Sequence, residues 1–122
     1  MKYLVLLIGD GAVKPWPDHT DAEKEEVMGR FWAFDQACAE REGVQLLAGE
    51  ALSGPSDATV MRTPNGKVEL TDGPYAEVIE AMGGFYLVEA PDLDVLVELL
   101  QLLPPYDIQI HPTADVMDPA QP

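Results

Sequence analysis

Apolar residues recur along this chain in two rhythms, and the change from one to the other marks out its elements. Residues 2–8 are a nearly unbroken apolar run closed by Gly9, and its shortness predicts a strand buried on both faces. Residues 9–19 hold Gly9, Gly11, Pro15, Pro17 and Asp18 and read as a loop. From Thr20 the spacing lengthens: Val27, Phe31, Phe34 and Cys38 lie 4-3-4 apart, one stripe at about 100° per residue. Thr20-Asp21-Ala22-Glu23 is a capping box, acids crowd the first turn, Arg41 sits in the last, and Gly43 supplies a left-handed exit. The spacing predicts a helix over 20–42. Met28, Trp32 and Ala39 form a second stripe beside the first, which suits burial against something beyond the helix's own sheet.

The shorter rhythm then returns. Val44 to Leu52 predicts a strand running into a turn at Pro55. Thr59–Thr63 and Lys67–Thr71, joined by Pro64-Asn65-Gly66, predict a hairpin. Asp72-Gly73-Pro74-Tyr75 breaks the pattern, and Gly83-Gly84 opens a strand through Glu89. Asp92 is placed to cap a second helix, apolar almost all round, which Pro104-Pro105 stops. Tyr106 to His111 alternates, with Ile108 and Ile110 on one face and Gln109 and His111 on the other. The order is strand, helix, strand, hairpin, strand, helix, strand. Two strand-helix-strand units of this kind predict an α+β, ferredoxin-like antiparallel sheet with both helices on one face and an inserted hairpin. Residues 1–112 form the domain and 113–122 a tail. The sheet's other side is left bare, and a second copy is the simplest cover, so burial predicts a homodimer.

Composition narrows the partners. The 122 residues carry 22 Asp and Glu against 7 Lys and Arg, a formal net charge of −15, and no Lys or Arg follows Lys67. Nucleic acid and anionic lipid both require clustered cations, so neither is an expected partner. No run approaches the roughly 20 apolar residues of a membrane span, and Gly9-Asp10-Gly11 stands where a leader's cleavage site would fall. The expected compartment is cytoplasmic. A single Cys38 excludes an internal disulfide and a Cys-based zinc site, and its place on the core stripe predicts inert packing. Gly9-Asp10-Gly11 follows a strand, but the third glycine of a dinucleotide fingerprint is replaced by Lys14, so no cofactor is expected.

Several segments resemble the DGPF group of the YCII-related family. They are Met1-Lys2-Tyr3-Leu4 with Gly9-Asp10, Gly49-Glu50-Ala51-Leu52, Asp72-Gly-Pro-Tyr-Ala-Glu77, Gly83-Gly84-Phe85-Tyr86-Leu87 and Pro91-Asp92-Leu93-Asp94, in that order over most of the chain. The resemblance implies a ferredoxin-like fold, a dimeric α/β barrel and a cleft near the Asp-Gly-Pro segment. YCII-type relatives are regarded as enzymes on account of a His–Asp pair, whereas the DGPF group's association with sigma factors implies regulation. This chain matches the Asp through Asp72, and His19 lies near the histidine's place but in a different local motif. Tyr75 stands where the group usually has Phe, and Val78 and Ile79 stand where it often has Thr and Lys, which removes a positive charge.

The candidate site residues follow. Asp72 is a general base or a turn cap. His19, within Asp18-His19-Thr20-Asp21, is an acid/base partner or a solvated loop residue, and those neighbours are too close in sequence to make a metal site alone. His111 faces a dimer cleft or water. Tyr75, Glu50 and Glu77 are candidate ligand contacts near Asp72, and Trp32 with Met28 suits an interface. The expected function is a small-molecule-binding or regulatory module with a cleft near Asp72. The alternatives are a hydrolase or lyase pairing Asp72 with His19 or His111, and a dimer that binds a protein partner without a ligand.

Overall fold

A computed structural model describes residues 1–9, 16–54, 57–73 and 82–116. Strand β1 is Lys2–Ile8, followed by a 3-10 turn at Trp16–Asp18, helix α1 at Asp21–Glu40 and β2 at Gln45–Ala51. A hairpin of β3, Thr59–Arg62, and β4, Glu69–Asp72, comes next. β5 is Met82–Glu89, α2 is Leu93–Leu100 and β6 is Asp107–Pro112.

The four long strands form one antiparallel sheet in the order β2-β5-β1-β6, and the hairpin forms a separate two-stranded sheet. β1 and β2 both run antiparallel to β5, so α1 joins two parallel strands with one strand between them. α2 does the same for β5 and β6 around β1. This is the ferredoxin-like α+β fold, and its split crossovers bring both helices to one face.

Local signals fix the element ends. Glu23 N–H donates to Thr20 Oγ1 at 3.1 Å while Thr20 N–H donates to Glu23 Oε1 at 3.0 Å, so the capping box is complete. Gly43 exits α1 at φ 80°, as a left-handed cap requires. Arg41 lies one residue past the helix and pairs with Glu98 of α2 at 3.2 Å. Asp92 caps α2 through Val95 N–H at 2.9 Å. That helix ends at Leu100, short of the proline pair, and Leu102 and Leu103 continue as turns bonded to Leu99 and Leu100. At the other end of the domain the sheet holds one residue beyond 112, because Thr113 N–H donates to Lys2 O at 2.9 Å.

The core lies between the helices and one face of the sheet. Tyr3, Val5, Leu7 and Val88 meet Phe34 and Cys38 of α1 and Leu96, Leu99 and Leu100 of α2, all buried. The stripe read from the sequence is therefore the buried one, with Phe31 packed at its rim against Tyr106 at 6.2 Å between ring centres. The second stripe is uncovered in the single chain: Met28 is 56% and Trp32 66% exposed. β1 is also buried on one side only, since Leu4, Leu6 and Ile8 are half-buried. Among the described residues that side of the strand is covered only in part.

Candidate functional site

The register of the sheet places the candidate residues. Cross-strand partners share a face, so the row Ala48–Leu87–Leu4–His111 and the row Glu50–Phe85–Leu6–Gln109 both lie on the face turned away from the helices. A third row, Gln45–Glu89–Lys2, closes one end. The centre of this open face is apolar: Leu4, Leu6, Phe85 and Leu87, each half-buried. Its margins are polar, with exposed Glu50 on edge strand β2 and exposed Gln109 and His111 on edge strand β6. The Gln109 side-chain amide donates to His111 Nε2. Three inter-strand spacings separate Glu50 from Gln109, about 14 Å, so the two margins cannot meet within one chain. Gln109 was not singled out from the sequence as a contact, although the alternation of 106–111 already put it beside His111.

Asp72 lies elsewhere, at the base of the β3–β4 arm. It pairs with Thr59, and Met61 pairs with Leu70 two residues on, so these four side chains share a face. Met61 and Leu70 are 61% and 68% exposed, and Asp72 is exposed too. Asn65 at φ 53° and Gly66 at φ 80° turn the arm's tip. Gly73 at φ 93° ends it, and its N–H donates to Ala58 O at 2.7 Å, closing the base. The side-chain-free backbone that Gly73 provides is thus used directly beside the carboxylate. An open depression of about 580 Å³ at the tip is lined by Met61, Arg62, Thr63, Pro64 and Glu69 and does not reach Asp72. Tyr75 and Glu77 fall outside the described residues.

His19 is held at the entry to α1. Its N–H donates to Trp16 O at 3.2 Å and its ring stands 5.6 Å from the Trp16 ring, over which Lys24 Nζ also sits at 5.4 Å. The side chain is half-buried, with the Trp16 ring on one side of it. Among the described residues no hydrogen bond joins Asp72 to His19 or His111. None of their His, Cys, Asp and Glu side chains gather in threes around a possible metal position.

A family model for the YCII-related domain matches residues 1–117. The chain belongs to the YCII-related domain family. No curated protein matches it. In this YCII-related domain no helix of the described residues is long and apolar enough to cross a membrane.

The remaining titratable groups of note belong to the core. Burial, with a smaller contribution from Asp35, pushes the Cys38 thiol up to about 11. A thiol held in its neutral form is a poor nucleophile, so Cys38 acts as packing. Burial and then Asp35 likewise push Tyr86 up to about 12, and burial raises Tyr106. The described residues thus present an apolar floor with hydrogen-bonding margins, and a separate arm carrying the Glu69 and Asp72 carboxylates.

Proposed function

We propose that this YCII-related domain is a small-molecule-binding or regulatory module that works as a homodimer, with its cleft between the open sheet face and the Asp72 arm. The observation that carries this reading is the open face itself. Leu4, Leu6, Phe85 and Leu87 make an apolar floor that neither helix covers, and Glu50, Gln109 and His111 border it. Binding sites commonly combine an apolar lining with a few polar groups that fix orientation. With Glu50 on the margin of that face and Asp72 on the arm, the ligand class is a small molecule with an apolar body and a cationic or donor-rich end. Asp72-Gly73-Pro74-Tyr75 supports placement within the DGPF group, whose regulatory association agrees with this reading. An acid/base enzyme draws less support, because no hydrogen bond links Asp72 to a histidine among the described residues.

Thermal-shift screening of a metabolite panel tests the binding reading. The expected result is a hit with an amine or amidine group whose stabilisation falls at least tenfold in apparent affinity in Asp72→Asn. A panel without hits, or hits indifferent to Asp72→Asn and Glu50→Gln alike, overturns it.

A further inference from the structure

The open face holds more information than its apolar centre, because its charges are arranged in rows. Two copies of one face can meet only about a two-fold axis lying in the plane of contact. If the axis runs parallel to the strands, strand order reverses in the second copy while the rows stay level. β2 then lies over β6 of the second copy and β5 over its β1. Glu50 comes to the Gln109–His111 pair of the second copy, and Glu89 comes to its Lys2, each contact occurring twice. Leu6 then faces Phe85 and Leu4 faces Leu87 across the space between the two sheets, so the apolar floor lines the interior that the two copies share. If the axis runs across the strands instead, β2 lies over β2 and the two Glu50 carboxylates are brought within a residue or two of each other. Lys2 and Glu89 are then laid against the Ile8 end. Like charges facing one another in a closing interface are unfavourable, whereas matched opposite charges fix register.

From this pattern the geometry points to a composite site: Glu50 of one copy and the Gln109–His111 pair of the second copy form one polar site, twice per dimer, about a two-fold axis parallel to the strands. The inference rests on the homodimer proposed above and deepens it, since the two margins are about 14 Å apart in one chain and neither is a complete site alone. The sheet face supplies part of the area that a second copy needs. Four strands about 4.8 Å apart and six or seven residues long give a face of roughly 400 Å². A stable interface takes roughly 800 Å² from each partner, so this face supplies about half of it, and the exposed Met61 and Leu70 are further apolar surface on the same chain. Two sheets packed with aligned strands in this way are an ordinary arrangement, crossing at about 30°.

The test is thiol cross-linking of the full chain with a short bis-maleimide, alongside its mass in solution by light scattering. Cys38 is buried, so the unmodified protein supplies the blank. The double variant Glu50→Cys/Gln109→Cys should convert to a covalent species of twice the 13.3 kDa chain mass, and each single variant should not. A second pair, Ala48→Cys/His111→Cys, samples the next row and keeps Glu50 in place, should the first variant weaken the dimer. A dimeric mass with cross-linking in Glu50→Cys alone overturns the composite site and leaves the dimer standing. A dimeric mass with no cross-link in either pair also overturns it. A solution mass of one chain overturns the dimer reading itself, and the composite site with it.

Discussion

Tyr86 lies directly across the bare backbone of Gly49. The two are cross-strand partners on the helix-side face, and a methyl group at position 49 would stand 2.7 Å from the Tyr86 ring. The same ring packs 5.0 Å from Phe34, so it cannot retreat without disturbing the buried core. Gly49→Ala is expected to destabilise the fold by about 1–3 kcal/mol through overpacking, read as a lower melting temperature. Gly29 in α1 is the opposite case, with nothing within 4 Å of an added methyl. Gly29→Ala should stabilise by about 0.5–1 kcal/mol, the usual gain of replacing a mid-helix glycine. Equal effects from the two substitutions would contradict this account.

Stability should decline in alkali for an identifiable reason. The fold raises Cys38 from 9.0 to about 11 and Tyr86 from 10.0 to about 12, by burial first and the Asp35 charge second. Both groups ionise to anions that the core disfavours. Their contribution is therefore fully present below pH 9 and is lost as pH rises through about 11 and 12. Urea midpoints measured between pH 8 and 11.5 should fall at the upper end, and Cys38→Ala with Tyr86→Phe should flatten the fall. An unchanged slope in that double variant would point to other groups.

Asp72 and Gly73 are neighbours with separable roles. Gly73 holds φ 93°, where a Cβ is strained whatever the space around it, so Gly73→Ala should cost about 1 kcal/mol or more. The Asp72 side chain is exposed, and Asp72→Asn should leave the melting temperature of the free protein within about 2 °C, in line with a surface change. Comparable losses from both would assign Asp72 to the turn rather than to a ligand.

Leu6 sits in the middle of the open face between Phe85 and Gln109. Leu6→Asp places a charge where the second copy is proposed to pack, and should shift the solution mass from two chains toward one by tenfold or more in dissociation constant. Far-ultraviolet circular dichroism should remain that of a folded domain, because the helix-side core is untouched. A dimer of undiminished affinity would place the contact elsewhere, with the exposed Trp32 and Met28 of α1 as the next surface to probe.

Local chemistry set much of this protein without help from the tertiary fold. The 4-3-4 stripe of Val27, Phe31, Phe34 and Cys38, the Thr20–Glu23 box, the Gly43 exit and the Asn65-Gly66 turn all depend on residues within a few positions of each other. For that reason the element order and the ferredoxin-like class were legible from spacing and caps. The end of α2 was less so, because an almost uniformly apolar segment carries no periodic mark of where hydrogen bonding stops. Only the tertiary structure decided which residues share a row of the sheet, since pairing across 33 to 109 positions leaves no trace in local spacing. It set Glu50 and His111 on one face yet at opposite edges, set Asp72 apart on its arm, and gave His19 a wall in Trp16. Sequence fixes what each segment prefers to be; long-range register, which is a property of the folded sheet alone, decides which side chains can act together.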